Sequence, residues 1–242
     1  MFSNFDFNVI ERSWKYLFFD GMVFTLQLTA LAMAGGIVVG TLLALARLSS
    51  VKVLSTAAGA YVNLVRSIPL VLVIFWFYFL VPYIGAWIIG SKTPIKVGAF
   101  SSCLITFIMF EACYYCEIMR AGIQSISRGQ IWAGYALGLN YWQTMARVVL
   151  PQAFRIILPP LTSEFLNIIK NSAVALTIGL VELTSRARSM QEFSFQVFEA
   201  FTAATLIYII VNIIVVTLMR LVEKKVAVPG LIASGGMTGA GR

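Results

Sequence analysis

Five polar residues in one apolar stretch are spaced so that they could act together. Glu164, Asn167 and Asn171 follow Pro160 at i+4, i+7 and i+11, which is one face of an α-helix. Lys170 lies beside that face and Ser172 follows directly. A sixth polar group, Glu111, sits in another apolar stretch. Ionisable groups inside membrane spans are costly and mark solute pathways or interior pairs. Two roles follow for Lys170. It helps neutralise an anionic solute while Asn167 and Asn171 donate hydrogen bonds, or it pairs with Glu111 or Glu164 and holds the bundle together.

Other constellations carry less. Glu117 and Arg120 are i, i+3 and are expected to pair on one helix. Cys113-x-x-Cys116 has the spacing of half a zinc or redox site, but no partner ligands accompany it, so packing is expected and no metal site. The chain has no histidine. That removes Ser/His/Asp and Cys/His triads, His-ligated metals and His proton relays. No G-x-x-x-x-G-K-[ST] occurs, so nothing here cradles ATP phosphates.

The elements that carry these residues follow from composition. The 242 residues are 60% hydrophobic and only 12% charged, and mean hydropathy is +0.88. Soluble domains carry about 25% charged residues. A soluble domain, a disordered chain, a coiled coil and a disulfide scaffold are excluded. Five spanning helices are expected, over residues 21–46, 67–91, 97–123, 153–181 and 200–219. The fold is then an all-α polytopic membrane protein with one transmembrane domain over residues 1–225. Residues 52–65 are too short to cross and read as an interfacial helix or an extension of the second span. Residues 9–19 read as a short interfacial helix, and Asp6 and Glu11 argue against a signal peptide. Residues 226–242, rich in Gly and Ala, read as a flexible cytoplasmic tail. Gly36 and Gly40 form a GxxxG spacing expected to serve internal packing.

The net charge of +8 arises from 18 Lys and Arg against 10 acids. It sets orientation rather than binding nucleic acid. With the N-terminus periplasmic and the C-terminus cytoplasmic, eleven Lys and Arg fall inside (Arg47, Lys52, Arg66, Arg120, Arg128, Arg147, Arg155, Arg220, Lys224, Lys225 and Arg242). Six fall outside.

No acid lies between Glu117 and Glu164, yet Arg120, Arg128, Arg147 and Arg155 do. Ser127 with Gln130 has the form of a capping box, Gly138 is a natural C′ residue, and Asn140 with Gln143 repeats the cap. Pro151 is expected to stop the second helix. A helix–Gly–helix unit over residues 127–150 has the form of a docking element. The alternative is a plain amphipathic interfacial loop.

Gly129 to Pro151 resembles the EAA loop of ABC-transporter permeases. Ala133, Gly138 and Leu150-Pro151 match its pattern. Trp132 stands where that loop often has Glu, and Gly134 where it has its second Ala. Further strings narrow the likeness to polar amino-acid permeases. They are Arg66-Ser67-Ile68-Pro69-Leu70, Glu117-Ile118-Met119-Arg120, Leu158-Pro159-Pro160-Leu161 and Lys170-Asn171-Ser172. The glutamate/aspartate subclass is the closest in pattern.

The resemblance implies a type I importer permease in a bacterial inner membrane. Its partners are a dimer of ABC ATPase subunits, a second permease chain (identical or related), a periplasmic amino-acid-binding protein and membrane lipid. It implies no cofactor on this chain, with ATP and magnesium held by the ATPase. Ser127, Gly129, Gln130, Trp132, Ala133, Gly134, Gly138, Leu150 and Pro151 would couple to the ATPase. Trp132, Tyr135, Leu139 and Trp142 would be apolar anchors in the ATPase cleft, or the aromatic rings would anchor the loop at the bilayer interface. Glu111, Glu164, Asn167, Lys170, Asn171 and Ser172 are the candidates to line the substrate path, and similar Lys residues occur in family members with other substrates, so Lys170 does not by itself identify an acidic one.

Overall fold

The computed structural model describes residues 5–226, and those residues form helices and turns with no strand among them. The first helix, α1 (Phe7–Lys15), is capped by the Asp6 carboxylate, which accepts the Asn8 N–H at 2.9 Å. A π-helical stretch, Tyr16–Met22, joins it without a break to α2 (Val23–Leu48). The continuous helix has 42 residues, roughly 63 Å at 1.5 Å per residue. That is about twice the hydrocarbon thickness. The expected separate interfacial helix is therefore an extension of the first span. No Pro or Gly interrupts residues 7–20, so nothing ends the helix there.

The extension is held by a core of its own. Leu17 and Met22 pack with Leu183, Ala187, Ala200 and Ala203, all fully or nearly fully buried. The main core lies between α2 and α6 (Ala99–Gln124), where Leu28, Ala32, Phe107 and Tyr115 are buried together with Ile168. Small residues permit that crossing. A Cβ on Gly36 would stand 3.0 Å from the Tyr115 ring, and one on Gly40 would stand 2.8 Å from the Ala112 carbonyl. The GxxxG pair thus serves packing within the chain. Cys113 and Cys116 are free and buried beside Ala44 and Val62.

Helix α3 (Lys52–Arg66) stands alone with 15 residues and packs on α2 and α6. At roughly 22 Å it falls short of a crossing. The next span runs from Leu70 to Ile88 as α4 (Leu70–Phe75), a π-helical stretch Trp76–Leu80, and α5 (Val81–Ile88). Pro82 sits just beyond that π stretch. The same device appears before Pro151. Helix α8 (Tyr141–Thr144) passes through π-helical Met145–Val149 into α9 (Leu150–Asn171). Pro151 therefore does not stop the helix. The widened turn contains Arg147, four residues back, whose carbonyl a proline ring would otherwise strike.

Helix α9 carries Pro159 and Pro160 within it and continues as 3₁₀ turns over Ser172–Ile178. The chain then bends by 52° into α10 (Leu183–Ser194). Gly179 makes the bend at φ +76. Glu182, fully buried, caps α10 by accepting the Ser185 and Thr184 N–H groups at 2.7 and 2.8 Å, and the Tyr208 hydroxyl donates to it at 3.1 Å. The segment between the expected spans 153–181 and 200–219 therefore holds a helix. Helix α11 (Val197–Val226) completes the bundle.

Four described helices are long and apolar enough to cross a bilayer, and the bent pair makes a fifth. That agrees with five expected spans, with shifted bounds. The expected tail over residues 226–242 lies outside the described residues, apart from Val226.

Candidate functional site

The docking unit is built by turn chemistry. Helix α7 (Arg128–Ala136) starts after Ser127, whose backbone carbonyl accepts the Gln130 N–H at 3.1 Å. The Ser127 hydroxyl makes no cap bond, so the capping box expected there is not formed. Gly129 and Gln130 face outward. At the other end Gly138 has φ +79, a value an L side chain adopts only under strain. The Gly138 N–H reaches the Tyr135 carbonyl at 2.9 Å and the Leu139 N–H reaches the Gly134 carbonyl at 3.1 Å, which closes α7 in a Schellman motif. The second box is complete: Gln143 N–H to Asn140 Oδ1 at 2.9 Å and Asn140 N–H to Gln143 Oε1 at 3.0 Å.

Gly134 brings the two short helices together. A Cβ there would lie 2.9 Å from Thr144 Cγ2. The folded-back unit rests on Ile126, Val149 and Ala153, with Ile131 and Met145 packed beside them. Its outer face presents Trp132 at 66%, Leu137 at 82% and Trp142 at 78% exposure. Tyr135 meets Trp132 edge-on at 5.8 Å, and Tyr141 meets Trp142 at 5.3 Å. Ala133, Leu150 and Pro151 are also exposed. Leu139, expected as an anchor, is half-buried, and Leu137 takes the outward position instead. Exposed apolar, aromatic surfaces of this kind are typical of contact surfaces.

The polar residues of the spans fall into two groups. Glu111 of α6 is fully buried, and neither carboxylate oxygen has a hydrogen-bond partner among the described residues. It faces Glu164 of α9. Asn167 donates to Glu164 at 3.4 Å, while the buried Ser172 donates to the Ile169 carbonyl at 2.7 Å. Asn171 is half-buried on the same helix. Lys170 is exposed and makes no ion pair with Glu111 or Glu164. The alternative in which it bolts the bundle together is not realised. At about 100° per residue, Lys170 lies roughly 120° around α9 from Glu164.

The second group centres on Glu117. The expected partner Arg120 binds it at 2.7 Å through Nη2 and 3.2 Å through Nε. Two further guanidiniums converge there. Arg47 at the end of α2 bonds to Oε1, and Arg66 at the end of α3 lies 3.9 Å away. Sequence spacing gave no signal for these two, since they are 70 and 51 residues distant in the chain. Among the described residues no cluster of three His, Cys, Asp or Glu could hold a metal ion.

Comparison with known proteins agrees with this architecture. The family described as "Binding-protein-dependent transport system inner membrane component" matches residues 36–228. The chain is 38% identical over 223 residues to the glutamate/aspartate import permease protein GltK of Escherichia coli O6:H1, covering 92% of this chain and 99% of the relative. It is also 38% identical over 216 residues to the glutamate/aspartate import permease protein GltJ of Escherichia coli strain K12, covering 87% of each. The solved structure of an amino acid ABC transporter with histidines superposes with a TM-score of 0.82 at 31% identity, over 92% of this chain and 99% of that one. This chain therefore belongs to the family of inner-membrane components of binding-protein-dependent transport systems, as a permease subunit without an ATPase site of its own.

Proposed function

We propose that the chain is the permease subunit of an ATP-driven importer of polar amino acids, with glutamate and aspartate as its substrates, in a bacterial inner membrane. The observation that carries this is the exposed aromatic face of the folded-back unit α7–α8, which has the form of a plug for a cleft in a partner. The 38% identity to GltK and GltJ supports the acidic preference. The relatives GlnM of Bacillus subtilis and GlnP of Escherichia coli, named for glutamine, stand lower at 32% and 28%.

In this mechanism two ATPase subunits bind ATP and magnesium on the cytoplasmic side. They close on residues 127–150 of two permease chains, identical or related. Ser127, Gly129, Gln130, Trp132, Ala133, Gly134, Gly138, Leu150 and Pro151 form or shape the contact. Because α8 runs without a break into α9, movement of the unit is delivered directly to the helix that bears Glu164, Asn167, Lys170, Asn171 and Ser172. Rigid-body rocking then exposes the path to one side at a time. A periplasmic binding protein delivers the substrate, and Lys170 complements its negative charge. The N-terminus is periplasmic and the C-terminus cytoplasmic, in keeping with eleven Lys and Arg inside against six outside. Residues 1–225 act as one domain.

Purification of the tagged chain from its native membrane tests this. Co-purification of an ATPase subunit, with glutamate uptake competed by excess aspartate, is expected. Competition by glutamine, histidine or arginine but not by aspartate would move the substrate within the class. Uptake that survives ATP depletion in energised vesicles would exclude the ATP-driven mechanism and favour ion coupling.

A further inference from the structure

We infer that the cleft between α6 and α9, on the side of the bundle that bears the docking unit, is a carboxylate-binding station on the solute path, with Arg66 as its anchor. That the ligand is an amino-acid carboxylate rests on the import function proposed above.

The cleft has a volume of about 470 Å³ and is lined by Arg66, Glu117, Ile118, Gly122, Ile157 and Pro160, among others. Sites for small molecules begin at about 300 Å³. Gly122 lets α6 and α9 close on each other at the wall of the cleft, since a Cβ there would run into the Ile157 side chain. One carboxylate, Glu117, faces three guanidiniums, Arg47, Arg66 and Arg120. Three positive charges against one leave a surplus of two, and none of the three pairs with another acid among the described residues.

The three arginines are not equivalent. Arg47 and Arg120 are 16% and 29% exposed and bond directly to Glu117, and Arg120 also donates to Gln124 at 2.7 Å. Arg66 is 40% exposed and stands back at 3.9 Å. Its guanidinium lies 5.1 Å from the centroid of the Tyr114 ring. Stacking on an aromatic ring holds the planar fork and leaves edge N–H groups free for a bidentate carboxylate. Ser125, the other polar side chain on this wall, is spent on the Gly122 carbonyl at 2.8 Å.

Pro160 decides where the ligand comes from. It lines the cleft and also begins the row Pro160, Glu164, Asn167, Asn171 along one face of α9. The cleft thus ends at the first member of a row whose further members are polar, and acyl chains would desolvate those groups without compensation. A solute moving along that row fits, and a lipid tail does not. Glu117 has a second use here. At 3.9 Å it competes for Arg66, so that the solute carboxylate is released rather than trapped.

The test uses the intact transporter complex in nanodiscs and equilibrium binding of radiolabelled L-glutamate in the absence of the binding protein. Wild type is expected to bind glutamate, with competition by glutarate and none by the diamide of glutamate, which lacks both carboxylates. Arg66→Gln is expected to weaken binding about tenfold or more, the scale of a lost charge-assisted pair, and Arg66→Lys to restore part of it. Ile118→Trp fills the cleft with every charge kept and is expected to abolish binding, which covers the case in which Arg66→Gln fails to assemble. Wild type that neither imports nor binds glutamate would overturn the substrate assignment. Wild type that imports glutamate, with Arg66→Gln and Ile118→Trp complexes that bind it as tightly, would overturn the station alone. An effect of Arg66→Gln seen only with anionic lipid present would identify a lipid phosphate site instead and equally overturn it.

Discussion

The Cβ that Gly40 lacks would stand 2.7 Å from Cβ of Tyr115, so α2 and α6 meet backbone to side chain at that point. The placement of Glu111 and Tyr115 depends on this crossing, because both belong to α6 and are buried against α2. Gly40→Val is expected to destabilise the chain by about 1–3 kcal/mol, as overpacking does. The check is the thermal unfolding midpoint of the detergent-solubilised protein. Gly59→Ala is the control, since the atom nearest its Cβ, in the Arg47 side chain, is 3.8 Å away. It is expected to leave the midpoint level or raise it slightly, as an added Cβ favours a helix.

Trp132 and Trp142 stand outside the packed core, and their loss removes surface rather than structure. Trp132→Asp and Trp142→Asp are each expected to cut recovery of the ATPase partner in pull-downs by tenfold or more, the size of an interface hot spot at about 2 kcal/mol. The unfolding midpoint should move by less than the error of the measurement. A lowered midpoint with the partner still bound would mean that these rings pack within the chain.

Gly138 and Asn140 set the fold of the α7–α8 unit through its turn and its cap. Gly138→Val places a β-branched residue at φ +79 and is expected to cost about 1–2 kcal/mol locally. Asn140→Ala removes the cap of α8 at a cost of about 1 kcal/mol. Both should speed amide hydrogen exchange over residues 128–144 and leave exchange in α2 and α6 unchanged. Uniformly faster exchange would show that the unit is not a separate element.

Lys170 has no acid partner among the described residues, and the proposed function gives its charge to the solute. Lys170→Met is expected to raise KM for glutamate uptake about tenfold while assembly and unfolding midpoint stay as in wild type. Unchanged kinetics with an unchanged ranking of glutamate, aspartate and glutamine would remove Lys170 from the path.

Much of this fold is legible in the sequence because lipid imposes a simple rule. Apolar runs over residues 21–46, 67–91 and 200–219 carry no charge, and each lies within or largely overlaps a spanning helix. Asn140, Gln143 and Gly138 announce local turn chemistry, and the structure forms it. What escapes the sequence depends on relations between distant residues or on how strain is absorbed. Pro151 reads as a stop, yet a π-helical turn over Met145–Val149 lets the helix continue. Glu182 looks like a loop acid until Tyr208 and two backbone N–H groups are brought to it. Arg47 and Arg66 bear no helical spacing to Glu117, and only the packing of α2, α3 and α6 gathers them.

The proposed function is ATP-driven vectorial import of an acidic amino acid through a pathway that this chain builds. Reconstitution of the purified complex into liposomes, with ATP supplied on the ATPase side and binding protein loaded with radiolabelled glutamate on the other, tests it most directly. Accumulation of label that requires ATP and the binding protein, and that Trp132→Asp abolishes, is the predicted result. Label that equilibrates without ATP, or accumulates equally when the docking unit is disrupted, would contradict it.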